Sequence, residues 1–135
     1  MKVKKISHIG LAVADLEPVR RMYTEILGLP LDHEEMLGEL KIAFVPVGET
    51  NLELVQSTDP EGVMAKYISK KGEGIHHIAL EVEDIHSAVE ELKAKGMEMI
   101  DKEPRPGAHG ATIAFLHPKA THGVMIELVE PGHSD

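Results

Sequence analysis

The sequence predicts an α+β fold, a single domain made of two βαβββ modules whose mixed sheet curls into a cup, and three observations predict it. HIGLAVADL at 8–16 recurs as HIALEVEDI at 77–85, so the chain carries an internal repeat. Each copy begins with strict apolar alternation and then changes to an i, i+3, i+4 stripe, the switch from strand to helix period. The chain has 135 residues, long enough to bury one core without disulfides.

Taken in order, HIGLAV is the first strand, and Asp15 follows it at a helix N-cap position. Leu16, Val19, Tyr23 and Ile26 form the apolar stripe of the helix, and Gly28 closes it, because a C′ residue often adopts positive φ. A strand over 29–34 follows, then AFVPV at 43–47 and LELV at 52–55. Asp59-Pro60 reads as an N-cap with Pro at the first helical position, opening a short connecting helix through Val63, Met64, Tyr67 and Ile68. The second copy repeats the plan: Asp84 caps, Ile85, Val89 and Leu92 form the stripe, and Gly96 closes the helix. A strand over 97–102, AFLHP at 114–118 and IELV at 126–129 complete it. The modules run from about 5 to 58 and from about 75 to 131 within one domain spanning 1–135. EPRPGAHG at 103–110 is rich in Pro and Gly and reads as a loop and a lid candidate.

Composition narrows the function classes. There is no Cys, which removes thiolate nucleophiles and sulfur-ligated zinc. The formal charge is -9 and only Tyr 2 and Phe 2 supply aromatic rings, so neither a basic surface nor stacking platforms are offered to nucleic acid. The apolar runs are short and MKVKKISHIG lacks a signal-peptide core, so the sequence reads as cytoplasmic with no membrane association.

Strand parity selects the candidate site. In the first strand Ile9, Leu11 and Val13 share the face that must pack on the helix, leaving His8, Gly10 and Ala12 opposite. The second copy gives Ile78, Leu80 and Val82 to the helix and leaves His77, Ala79 and Glu81. Leu52 and Leu54 pack inward, leaving Glu53; Ile126 and Leu128 likewise leave Glu127. Each copy thus delivers one His and one Glu to the face without helices. Curled sheets would gather His8, Glu53, His77 and Glu127 into a site for one divalent metal ion per chain. Mixed nitrogen and oxygen donors without sulfur suit a six-coordinate Co²⁺ first, with Mn²⁺, Ni²⁺, Zn²⁺ or Fe²⁺ as alternatives. Of the other histidines, His33 and His86 read as solvated, His117 and His122 as loop hydrogen-bonding groups, and His133 as terminal. Lys70, Lys71, Arg105 and Lys119 are candidates to meet an anionic substrate, the alternative for each being solvated loop charge.

With HIGLAVADL, GEGIHHIALEVEDI, EPRPGAHGATIAFLHPKATHGVMIELVE and the paired His/Glu strands in view, the sequence resembles the methylmalonyl-CoA epimerases of the vicinal oxygen chelate, or glyoxalase-like, superfamily. The resemblance covers nearly the whole chain, and the block from Glu103 to Glu130 is its most specific part. It implies the glyoxalase fold, a homodimer, a CoA thioester substrate, and interconversion of (2R)- and (2S)-methylmalonyl-CoA through a metal-stabilised enolate. The family's metal ligands map onto His8, Glu53, His77 and Glu127. Epimerisation needs proton exchange on both faces of a planar intermediate, hence two acid/base groups or one mobile one. Glu127 is one candidate, as ligand and base together. For the opposing group, some relatives place a Glu on the strand before AFVPV, where this chain has Lys41; Glu39 lies two residues earlier, and both are candidates. The rivals are a glyoxalase I-type lyase acting on a glutathione hemithioacetal and a metal-free binding protein of the same fold.

Overall fold

The computed structural model describes residues 1–132; His133 lies outside them. The chain divides into two compact units, His8–His76 and Met1–Ser7 with the residues from His77 onward. Each contains a mixed sheet and a helix packed on one of its faces, the α+β architecture that the repeat predicts.

In the unit His8–His76, the strands are β1 (Val3–Ala12, entering from its N-terminal end), β2 (His33–Leu37), β3 (Leu40–Val47) and β4 (Thr50–Ser57), in the order β2-β3-β4-β1. β1 pairs with β4 in parallel, with Ile9 opposite Leu52 and Leu11 opposite Leu54; β3 is antiparallel to both neighbours. Helix α1 (Leu16–Arg21) continues as one π-helical turn over Met22–Ile26. Leu11, Val13, Leu16, Ala43, Val45 and Leu54 form the core beneath it, with Ile9, Val19, Tyr23 and Leu52 at the margin. Leu54 is wholly buried there. Leu54→Ala removes packed side-chain volume from a core that relaxes only in part, so we expect a loss of about 2–5 kcal/mol in denaturant unfolding. A loss well under that range would mean the sheet collapses onto the gap.

The second unit repeats the plan with β5 (Gly74–Val82), α3 (Ile85–Ala94), β6 (Arg105–Pro106), β7 (Thr112–Phe115) and β8 (Ile126–Glu130), ordered β5-β8-β7-β6. α3 lays Ile85, Ala88, Val89 and Leu92 onto Val82, Ala114, Leu116 and Leu128. Gly28 and Gly96, at φ 73° and 84°, follow the two repeat-related helices as expected.

Several local expectations are corrected. Residues 29–32 are not strand; β2 starts at His33. The strand expected over 97–102 shrinks to one bridge between Met99 and Leu116, and the edge position passes to β6 inside the segment read as a loop. Asp59 does not cap the connecting helix: its carboxylate accepts from the Glu61 N–H at 2.9 Å, forming a turn, and α2 (Val63–Lys71) begins four residues later. The Ser57 hydroxyl accepts from the Met64 N–H instead, at 3.0 Å. Asp84 does cap α3 through the Ser87 N–H, but Asp15 makes no such bond. The first turns of both helices are closed from afar: Gln56 Oε1 accepts from the Leu16 N–H at 2.8 Å and Glu130 Oε1 from the Ile85 N–H at 3.0 Å. Gln56 and Glu130 end the repeated LELVQ and IELVE strands, so the device is itself repeated.

Among the described residues, no helix is long and apolar enough to cross a membrane.

Candidate functional site

Strand pairing fixes which side chains rise from the face opposite α1. Residues directly opposite in a ladder share a face. Glu53 on β4 is opposite Phe44 on β3, and Val55 opposite Ile42; on β2, His33 is opposite Phe44 and Glu35 opposite Ile42. His8, Gly10 and Ala12 of β1 lie on this face as well, since Ile9 and Leu11 are in the core under α1. In the first unit, therefore, His8 and Glu53 stand on an apolar floor of Ile42, Phe44 and Val55. The His8 Nδ1 to Glu53 Oε2 distance is 3.1 Å, and both residues are buried.

The second unit carries the counterpart. His77 Nε2 lies 3.0 Å from Glu127 Oε1, with the two side chains 7% and 5% exposed. Ala79, Ile113 and Val129 make a small apolar cluster on this face, with Phe115 at its edge. The Phe115 ring meets His77 edge-on at 5.3 Å. Phe115 is opposite Glu127 as Phe44 is opposite Glu53, so the surroundings are repeated along with the ligand types.

A buried imidazole–carboxylate pair suits a cation. Taking a carboxylate out of water costs several kcal/mol unless charge or donors compensate, and an imidazole nitrogen with an adjacent oxygen is a donor set for a divalent ion of intermediate hardness. Gly10, Ala12 and Ala79 keep the neighbouring positions small.

The two other residues proposed for proton transfer fall elsewhere. Lys41 is opposite Gln56 and shares its face with Ala43 and Leu54, the helix side. It is exposed there, and its charge is felt by Glu17 of α1, whose carboxyl is held below its ordinary value chiefly by a hydrogen bond from Arg20. The site-face position next to it is Ile42, which is apolar and buried. Glu39 sits in the β2–β3 turn, where its carboxylate accepts from the Ser57 hydroxyl and the Asp59 N–H, both at 3.3 Å. Ser57 is four residues beyond Glu53 along β4, roughly 13 Å at the rise of an extended strand. Lys41 therefore does not belong to the face of His8 and Glu53, whereas the Glu39 carboxylate is bonded to Ser57, whose side chain shares the face of Glu53 and Val55 at the far end of β4.

Arg105 is fixed rather than free in a loop. Its Nε donates to Asp101 Oδ1 at 2.9 Å, its backbone pairs with Ile113, and its guanidinium lies 5.7 Å from the centre of the Phe115 ring. The expected lid over 103–110 is thus tied at β6 and at Gly107, whose N–H donates to the Ala111 carbonyl at 2.9 Å. Lys119 is exposed in the turn after His117, whose Nδ1 accepts from the Lys119 N–H at 3.1 Å.

The residues that sequence reasoning undervalued are His33 and Glu35. His33 is half-buried, with its ring stacked on Phe44 at 4.3 Å and 8° between planes. Its Nδ1 is 2.6 Å from Asp32 Oδ2 and its Nε2 3.1 Å from Glu35 Oε1. The bond to Asp32, helped by the one to Glu35, raises the imidazole pKa above its ordinary value despite partial desolvation. The available signal was the alternation His33, Glu35, Leu37, which needed the β2 register to be read.

Comparison with known proteins gives a consistent picture. Residues 7–115 match the family model of the Glyoxalase/Bleomycin resistance protein/Dioxygenase superfamily. A Bacillus halodurans protein of known structure is similar at 43% identity and a TM-score of 0.94, over 97% of this chain and 96% of that one. The mitochondrial methylmalonyl-CoA epimerase of Homo sapiens is 37% identical over 92% of this chain and 72% of that protein. A variant of the Streptomyces coelicolor methylmalonyl-CoA epimerase, in complex with 2-nitronate-propionyl-CoA, superimposes with a TM-score of 0.93 at 32% identity and covers 99% of each chain. A probable lactoylglutathione lyase of Synechocystis is 35% identical over 91% of this chain and 92% of that one.

Proposed function

The chain belongs to the Glyoxalase/Bleomycin resistance protein/Dioxygenase superfamily and, within it, to the methylmalonyl-CoA epimerases, and from that premise we propose that it interconverts (2R)- and (2S)-methylmalonyl-CoA by removing and returning the α-proton. The observation that carries this reading is the full-length likeness to an epimerase holding 2-nitronate-propionyl-CoA. A nitronate is planar and anionic, as is the enolate formed when a thioester loses its α-proton.

In this reading His8, Glu53, His77 and Glu127 together ligate one divalent ion, Co²⁺ first among the candidates. Support comes from the burial of all four, the matched 3.1 Å and 3.0 Å pairs in the two repeats, and the family. When bound, the ion supplies Lewis-acid stabilisation of charge developing on the substrate's oxygens, worth several kcal/mol. The chain's own residues do the rest. His77 holds the Glu127 carboxylate in position, and Glu127 takes the α-proton from one epimer. Ile113, Val129 and Phe115 line the face around Glu127 with apolar surface, which limits water and strengthens the electrostatic interactions made there. Arg105, held by Asp101 beside Phe115, offers its guanidinium to a carboxylate or phosphate of the CoA ester; Lys119 offers an exposed charge. A homodimer, implied by resemblance to the family, and a cytoplasmic location, read from the sequence, complete the proposal.

The test is proton NMR in D₂O with each epimer supplied separately to metal-loaded protein. We expect deuterium at the α-carbon and convergence to one epimer mixture. The likeness to a lactoylglutathione lyase makes the methylglyoxal–glutathione hemithioacetal the second substrate to assay. Turnover of the hemithioacetal with no exchange in methylmalonyl-CoA would overturn the epimerase reading in favour of a lyase.

A further inference from the structure

A guanidinium that grips an anion gains affinity if it is aimed beforehand, because ordering a long side chain on binding costs free energy. We propose that Asp101 aims Arg105: it holds the Nε of the guanidinium and leaves the two terminal nitrogens as a fork for an anionic group of the thioester, its carboxylate or a phosphate of CoA. Asp101 is then a positioning residue for substrate binding. The proposal rests on the epimerase reading.

The backbone of β7 holds Asp101 still. Its Oδ2 accepts from the Phe115 N–H at 2.8 Å, and its own N–H donates to the Phe115 carbonyl at 3.2 Å, beside that of Ile100 at 2.9 Å. The other carboxylate oxygen, Oδ1, accepts from Arg105 Nε at 2.9 Å. Both oxygens are engaged, and the side chain is only 15% exposed. Arg21 and Glu17 have the same spacing in sequence, but they lie 3.4 Å apart with both side chains more than half exposed. Such a surface pair orients neither partner, since both chains keep their freedom and the charges are screened. Asp101 differs because its carboxylate is anchored before it meets the arginine.

Arg105 presents the complementary half. It is opposite Ile113, which belongs to the apolar cluster of Ala79 and Val129 on the face of Glu127. Its guanidinium lies 5.7 Å from the centre of the Phe115 ring, and the same ring meets His77 edge-on at 5.3 Å. One aromatic ring therefore separates the cation from the His77–Glu127 pair. Among the described residues, the Nη1 and Nη2 groups of Arg105 have no hydrogen-bond partner. A planar guanidinium with both terminal nitrogens open matches two oxygens of a carboxylate or a phosphate. The chain as a whole carries a formal charge of -9, so it repels an anionic thioester at long range, and a placed cation is what favours its arrival at this face.

The experiment is initial-rate epimerisation by full-length, metal-loaded R105Q, D101N and the double variant. The substrates are methylmalonyl-CoA and methylmalonyl-pantetheine, which keeps the carboxylate and lacks the phosphates. R105Q removes the fork, so KM for methylmalonyl-CoA should rise about 10–100-fold, the factor for losing a hydrogen bond to a charged group. A rise on both substrates assigns the fork to the carboxylate and a rise on the CoA ester alone assigns it to a phosphate; either supports the proposal. D101N still accepts from the Phe115 N–H, but its amide nitrogen cannot accept from Arg105 Nε. Its KM should rise about 2–10-fold, the factor for leaving one long side chain to be ordered on binding, with kcat changing less than KM. Because Asp101 acts through Arg105, D101N should add nothing in the R105Q background. If D101N fails to fold, R105K takes its place: lysine keeps the charge without the planar fork, so its KM must approach that of R105Q, and a wild-type KM overturns the proposal. Unchanged KM in folded D101N, or an equal rise with and without Arg105, overturns the role of Asp101 and leaves the epimerase reading intact. Wild-type protein that epimerises neither substrate overturns both.

Discussion

Replacing His8 and His77 together with Ala will abolish stoichiometric binding of a divalent ion to the chain. Each repeat contributes one imidazole and one carboxylate, and removing both imidazoles leaves two carboxylates, a harder and weaker donor set for Co²⁺ or Zn²⁺. Each lost imidazole also leaves Glu53 or Glu127 buried without its partner at 3.1 or 3.0 Å. The readouts are metal content after dialysis and thermal unfolding against added metal. For wild type, ligand-linked stability should rise by about 4 kcal/mol when free metal exceeds Kd a thousandfold. The double variant should show almost none of this rise. Equal metal content in the two proteins would refute the ligand assignment, and the unfolding curve of the metal-stripped variant separates lost ligation from lost structure.

That prediction could be written from the sequence because strand parity is unforgiving. The side-chain period is two, so a strand with one face in a core declares the other face. In β1, β4, β5 and β8 the alternating aliphatics do this, and the pairs His8/Glu53 and His77/Glu127 follow. β3 behaves differently. Ile42, Ala43, Phe44 and Val45 are all buried, so AFVPV carries no alternation and its phase cannot be read from the sequence. Only pairing with β4 shows that Ile42 and Phe44 face the site and that Lys41 does not, a one-residue matter that moves a proposed catalytic group through the sheet. β2, expected over 29–34, was displaced and β6 was missed, although each pairs with the next strand in a local hairpin; short edge strands carry too few residues for an alternation to be read. The Gln56 and Glu130 contacts to the helix starts span 40 and 45 residues, beyond any local motif. What was legible is what repeats locally; the phase of β3 and the contacts at the helix starts needed the strand pairing and the tertiary fold.

The repeat also shows where function breaks the symmetry. Ile42 and Ile113 occupy matched places, as do Phe44 and Phe115. On the adjoining edge strand Glu35 is opposite Ile42, whereas Arg105 is opposite Ile113. One half therefore places a carboxylate on its edge strand and the other half a permanent cation.

Glu127→Gln carries the other large effect. The carboxamide keeps the shape beside His77 and still offers an oxygen to a metal, but it cannot accept the α-proton at neutral pH. With His8, Glu53 and His77 unchanged, metal content should stay near one ion per chain. Epimerisation should fall about 10²–10⁴-fold, the range for removing a positioned base, and the loss should appear in kcat more than in KM because the interaction is made in the transition state. Exchange in D₂O gives the sharper reading. E127Q should abolish α-proton exchange in at least one epimer, since it removes the group proposed to take that proton. Loss of exchange in both epimers would mean that a single mobile base serves both faces. Wild-type exchange in E127Q for both epimers would limit Glu127 to holding the metal.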